Sequence, residues 1–273
     1  MNSDFETIVL RAKEDVYTLL QGGNLSRVLG QGYDFSELRT YESSDDIRHI
    51  SWINSAKLGE PYVKKMHEER ELNVVVSMLL NGRTIIGKKQ ELMVHILALL
   101  GYSALYTNNL FQSIFFMGEA SQHFEPSKNV EALESVLTHF STLQPLGKGL
   151  NLTRVQSELF KRVEHKSLLF LVGDFLEEID LSILVQKHEV YVIIVRDKWE
   201  ESPQVPADAE LVNPLTNRAI NRTASKKAIA HYVQKLKEHD AKLEAYLHAH
   251  QVKFCKVYRS EEVVEKIEGL LHL

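Results

Sequence analysis

From residue 72 onward, short apolar runs alternate with longer stretches of helical period. Val74-Val75-Val76-Ser77-Met78-Leu79-Leu80 is a run of strand length that ends at Asn81-Gly82. A run apolar on both faces suits a central parallel strand, because helices then cover it from above and below. Ser113–Met117, Leu168–Val172, Val190–Val195 and Val252–Val257 repeat the pattern, the second of them closing on Gly173-Asp174-Phe175. The intervening stretches 88–107, 128–143, 151–164, 177–188, 224–250 and 260–272 predict helices. In the first of these Leu92, Ile96, Leu99 and Leu100 share an inward face, and the last opens on a Ser260 cap with Glu261 and Glu262 at the positive dipole end. Residues 198–222, with Pro203, Pro206 and Pro214, predict irregular backbone. The alternation predicts a doubly wound, mostly parallel α/β sheet. Function in such sheets gathers at the carboxyl ends of the strands, which makes 81–87, 118–127, 173–177 and 196–202 the candidate loops.

The first 70 residues follow another pattern. Residues 3–21 predict an amphipathic helix: Ser3 and Glu6 have capping-box spacing, Phe5, Ile8, Val9, Ala12, Val16, Leu19 and Leu20 form one stripe, and Gly22-Gly23 ends it. Residues 24–60 have no sustained period and read as an ordered, functional loop region. Residues 61–70 read as a charged ribbon or edge strand. The expected organisation is therefore a segment 1–70 packed on an α/β domain 71–273.

Composition narrows the chemistry. The chain has 273 residues, and 32 basic against 37 acidic side chains leave a net charge of −5, which argues against a nucleic-acid partner. A single cysteine, Cys255, rules out an internal disulfide and a thiolate zinc site, and its place inside an apolar strand suits a core residue. The charged N-terminus lacks a secretory pattern, and no apolar stretch reaches membrane-spanning length, so a cytoplasmic location without membrane insertion is expected. Gly30-Gln31-Gly32 lacks the third glycine of a dinucleotide fingerprint, and neither a P-loop nor a GxSxG elbow is present. His248 and His250 lie two apart on a helix and point in different directions. No cofactor is expected.

Two features remain. One is Gly32-Tyr33-Asp34-Phe35-Ser36-Glu37-Leu38-Arg39-Thr40-Tyr41 followed by Asp45-Asp46-Ile47-Arg48-His49-Ile50-Ser51-Trp52 and Ser55-Ala56-Lys57; the other is the doubly wound domain after it. Together they resemble the MoxR-associated family of von Willebrand A-like proteins, whose pattern runs G-x-[DE]-F-x-x-L-R-x-Y, then G-D-D-x-R-x-I-D-W-x-x-[ST]-A-[RK], then a strand and E-E-R. Glu68-Glu69-Arg70 falls in the expected place, while Ser44 and Ser51 depart from the family's glycine and aspartate. The resemblance implies a von Willebrand A-like fold and a cytoplasmic partnership with a MoxR-type AAA+ ATPase in the assembly or maturation of client proteins. The motif residues Phe35, Leu38, Arg39, Tyr41, Asp45, Asp46, Arg48, Trp52 and Lys57 then either knit an irregular loop together or contact a partner.

The resemblance also implies a magnesium site built from D-x-S-x-S, a later threonine and an aspartate after the fourth strand. In this chain Asn81, Arg83 and Ile85 stand at the first three positions and Leu150 at the threonine, so that only Asp174 persists. Hard divalent ions need oxygen ligands, so no metal is expected there unless Thr84 or Thr153 contributes. Arg83 is expected to take the place of the cation and pair with Asp174. The reading is a non-enzymatic interaction module or adaptor with a degenerate metal site. The alternatives are a magnesium-dependent ligand-binding module and a hydrolase using Asp45, Asp46 or His49, although adjacent aspartates in a loop are more often turn residues.

Overall fold

A computed structural model of the chain describes residues 3–21, 35–42, 45–66, 72–206, 210–220 and 225–272. The chain begins with helix α1 (Ser3–Gln21), strand β1 (Phe35–Thr40), the short helix α2 (Trp52–Leu58) and strand β2 (Tyr62–Met66). Then come β3 (Asn73–Leu80), α3 (Lys89–Tyr106), β4 (Leu110–Met117), β5 (Ala120–Ser127), α4 (Val130–Ser141), α5 (Leu152–Arg162), β6 (Leu168–Gly173), α6 (Ser182–Lys187) and β7 (Glu189–Val195). The last part holds α7 (Lys198–Glu201), β8 (Leu211–Asn213), β9 (Arg218–Ile220), α8 (Lys226–Ala249), β10 (Lys253–Val257) and α9 (Val263–His272).

Six strands form the main sheet in the order β10-β7-β6-β3-β4-β5. All neighbours are parallel except β4 and β5. This is the doubly wound α/β arrangement that the alternating pattern predicts. Side chains alternate across a strand, and β3 shows the result: Val74, Val76, Met78 and Leu80 face one core, Val75 and Leu79 the other. The first core is closed by α1, α3, α4 and α9, the second by α5, α6 and α8. Helix α3 is buried almost all round rather than on one stripe, because α1 covers the side that the sheet leaves open. Ala12 and Val16 of α1 are fully buried there, and the imidazole of His95 lies 2.8 Å from the Asp15 carboxylate.

Several local expectations are corrected. Within 24–60, residues 35–40 form a strand and 52–58 a helix: β1 pairs antiparallel with β2, a ribbon with its own pairing, for which no long apolar period is needed. Residues 120–127 form an antiparallel edge strand rather than a loop, turned by Gly118 at φ +62°. A polar edge strand containing Pro126 carries little hydrophobic signal. Strand β4 begins at Leu110, and the helix expected over 177–188 begins only at Ser182. The span 198–222 contains α7 and a small hairpin, β8–β9. Gly22-Gly23, Gly30-Gln31-Gly32, Tyr33, Asp34, Ser44 and Glu68-Glu69-Arg70 lie outside the described residues.

Candidate functional site

The chain leaves β3 for β4 on one side and returns to β6 on the other, so the carboxyl ends of β3 and β6 flank the switch point of the sheet. Asn81 follows β3 directly and caps the short 3-10 turn Gly82–Ile85, its Oδ1 accepting the Arg83 amide at 2.8 Å. Its Nδ2 donates to Asp174 Oδ1 at 2.9 Å. Asp174 follows β6 and is 2% exposed. The Nε of Arg83 donates to Asp174 Oδ2 at 2.7 Å, and its Nη2 donates to Glu177 Oε1 at 2.5 Å. Phe175 turns the chain between the two carboxylates at φ +46°, and its carbonyl accepts from His239 Nε2 of α8 at 2.7 Å. The expected pairing of Arg83 with Asp174 is therefore present, and Glu177 is an additional partner.

A second layer of ion pairs lies beside this one. Lys89 Nζ donates to Glu200 Oε1 at 2.7 Å, with both side chains almost wholly buried. The other oxygen of Glu200 accepts the Asp197 amide and closes a capping box on α7. Arg196 Nη2 and Lys256 Nζ donate to the two oxygens of Asp240 at 2.9 and 2.7 Å. Burial raises the Asp174 carboxyl, but the Arg83 guanidinium and hydrogen bonds from Arg83 and Asn81 outweigh it and hold the group below its ordinary value. For Glu177 burial wins, and its carboxyl sits above its ordinary value despite Arg83. Burial likewise lowers Lys89, against the pull of Glu200.

The donor set does not suit a divalent cation. Both oxygens of Asp174 are engaged, one of them by a guanidinium that a cation would have to displace. Thr84 is buried and donates to the Asn81 carbonyl at 2.7 Å, and Thr153 is exposed on α5. Ile85 and Leu150 offer no oxygen; Leu150 packs against the second core and bridges Gly118. Among the described residues, no group of three His, Cys, Asp or Glu side chains is placed to hold a metal ion. Burial pushes the Cys255 thiol up to about 12, far from a reactive thiolate.

Backbone packing holds the turn in place. Gly82 lies against Pro214 of the β8–β9 turn so closely that a Cβ would meet the Pro214 carbonyl oxygen at 1.7 Å. That carbonyl accepts the Gly147 amide, and the Gly82 amide donates to the Lys148 carbonyl, both at 2.8 Å. Nearby, Gly87 at φ +60° stands where a Cβ would meet the Asp197 carboxylate at 1.9 Å.

The motif residues lie apart from this site, on β1, the 3-10 turn Ile47–His49, the segment between them and α2. Phe35 and Leu38 lie in β1. Arg39 pairs with Asp45 at 2.5 Å, and Asp45 also accepts the Glu42 amide, which together with Arg39 outweighs burial and lowers its carboxyl. Asp46 caps the 3-10 turn Ile47–His49 and takes the Arg48 guanidinium at 2.6 Å. The Tyr41 amide donates to the Pro61 carbonyl at 2.8 Å. The paired aspartates are thus turn and cap residues. Lys57 is exposed, and Trp52 and Ile53 display 67% and 74% of their surface.

The candidate loops 81–87, 173–177 and 196–202 do converge, and the pairing of Arg83 with Asp174 follows from their positions. Lys89–Glu200 and Arg196–Asp240 are not legible in the sequence, because Lys89, Glu200 and Asp240 lie within helices, whose packing on the sheet no motif specifies. The Asp197-Lys198-Trp199-Glu200 capping box was the one local signal available.

A family model described as "Protein of unknown function DUF58" matches residues 37–242. The uncharacterized proteins Rv1480 of Mycobacterium tuberculosis and Mb1516 of Mycobacterium bovis are each 25% identical over 215 residues, covering 75% of this chain. The chain spans 65% of the length of these curated relatives. Among solved structures, an aerotolerance-related membrane protein from Bacteroides fragilis is similar at 10% identity and a TM-score of 0.45, covering 74% of this chain and 98% of that one. The conserved hypothetical protein BatB from Bacteroides thetaiotaomicron is similar at 9% identity and a TM-score of 0.42, covering 74% and 100%. No described helix is long and apolar enough to cross a membrane.

Proposed function

This chain belongs to the DUF58 family, and from that premise we propose that it is a non-enzymatic, metal-independent protein-interaction module that serves a MoxR-type AAA+ ATPase as an adaptor for client proteins. The observation that carries this reading is the engagement of Asp174. Its two oxygens are held by Asn81 and Arg83, so the switch point of the sheet is an internal polar lock rather than an open reaction centre. A catalytic acid or base needs a group free to exchange a proton with substrate, and a metal bridge needs free oxygen ligands. What the same end of the molecule offers outward is apolar: Ile85, Leu146, Trp199 and Val212 are all exposed there. Exposed apolar clusters of this kind support protein contact better than chemistry.

The experiment is a retention assay. The purified full chain is immobilised and challenged with a purified MoxR-type ATPase, with and without ATP. Saturable binding in either nucleotide state supports the adaptor reading. Absence of binding in both overturns the partnership.

A further inference from the structure

Between the 3-10 turn after β3, the start of α7 and the β8–β9 hairpin lies an open cleft of about 540 Å³. Its walls are Ile85, Leu146, Trp199, Val212 and Pro214, and among the described residues its ionisable lining is two carboxylates, Asp197 and Glu210. The basic side chains adjacent to the lining in sequence are turned to other partners: Lys198 lies over the Tyr258 ring at 5.9 Å, Lys88 pairs with Glu91 at 3.5 Å and Arg196 with Asp240 at 2.9 Å. Trp199 stays 46% exposed although its indole N–H reaches the Gln204 carbonyl at 3.4 Å, so the ring is oriented but not covered. Val212 is 49% exposed. The floor is fixed by the Gly82–Pro214 contact described above, so the walls do not have to be assembled on binding.

We propose that this cleft is the docking site for a segment of a partner protein that places a large apolar side chain beside a lysine or arginine. Two features select this occupant. The walls reward burial of an apolar side chain, with an aromatic anchor already oriented in the wall. The carboxylates Asp197 and Glu210, with no basic residue among the described lining, favour a cation at the rim and disfavour an acidic segment. The proposal rests on the interaction-module reading and assigns that reading a surface and a partner chemistry.

The test pans a displayed library of random dodecapeptides on the full-length chain, and synthesises the enriched peptides for titration. Peptides that combine an aromatic or large aliphatic residue with lysine or arginine are expected. Their affinity should fall at least about ten-fold in Trp199→Ala and in Glu210→Lys. Val212→Lys provides a third variant on a different wall, should Trp199→Ala fail to fold. Failure to enrich peptides, enrichment of acidic peptides, or affinities unchanged in the folded variants would each overturn the proposal. So would self-association of the chain that Val212→Lys abolishes, since the occupant would then be a second copy. An ATPase that binds these variants as well as it binds the parent chain removes the cleft but leaves the adaptor reading standing. An ATPase that fails to bind even the parent chain, while basic apolar peptides do, has the reverse meaning.

Discussion

The Nε of Arg83 donates to Oδ2 of Asp174 across 2.7 Å and joins the carboxyl ends of the two central strands β3 and β6. The two residues are far apart in sequence, and each has a second partner, Arg83 in Glu177 and Asp174 in Asn81. Asp174 is almost completely buried, so its charge depends on this guanidinium. Removing one member of a buried pair leaves the other charge without compensation, whereas replacing both is far milder. Arg83→Ala should therefore lower stability by about 3 kcal/mol, and Arg83→Ala combined with Asp174→Asn should recover a good part of that loss. Urea unfolding of the two single variants and the double variant measures this directly. Additive losses would show that the pair has no coupling.

The same geometry bears on metals. Magnesium binding to the folded chain would raise the unfolding temperature by mass action. With Arg83 in contact with Asp174, millimolar magnesium should leave the unfolding temperature unchanged. A rise that disappears in Asp174→Asn would mean that the cation displaces the guanidinium and that the metal-independent reading is wrong.

His188 supplies a pH dependence with a defined sign. It caps the end of α6 just before β7 and is 4% exposed, and neither ring nitrogen has a protein hydrogen-bond partner. Burial, with help from Lys187, lowers it to about 4. The unfolded chain takes up this proton near pH 6.5 and the folded chain only near 4, so protonation favours unfolding across that window. Going from about pH 7 to about pH 5, this group alone should cost about 2 kcal/mol of stability. His188→Leu should lose less stability than the parent chain over the same interval by that amount. Parallel denaturation curves for the two proteins at both pH values would remove the assignment.

Gly82 is the position where backbone meets backbone. A Cβ there would overlap the Pro214 carbonyl oxygen, and neither partner is a flexible side-chain end that can swing away. Gly82→Ala should cost about 2 kcal/mol, in the range for overpacking a tight contact, and should loosen the β8–β9 hairpin. Limited proteolysis reads the second effect: cleavage between residues 203 and 224 should become faster than in the parent chain. Unchanged cleavage together with unchanged stability would show that the hairpin does not depend on this contact.

The doubly wound sheet is legible in the sequence alone. Continuous runs such as Val74–Leu80 can be buried on both faces only between two helical layers, and that requirement is written in residue type and period. That Asn81, Arg83 and Asp174 would meet was implied by the resemblance to von Willebrand A-like proteins rather than by the apolar pattern, since doubly wound sheets differ in strand order and only the pairing of β3 with β6 brings these residues together. What escaped the sequence depended on pairing. Strand β1 and the edge strand β5 carry weak apolar signals and take their form from the partners β2 and β4. The burial of α3 on every side required α1, which lies about 80 residues away in sequence. Glu177 as the second partner of Arg83, the Lys89–Glu200 pair and the cleft beside Trp199 were decided by tertiary structure alone. Ion pairs and clefts are properties of distances between remote segments, and no local pattern of hydrophobic and polar residues encodes those distances.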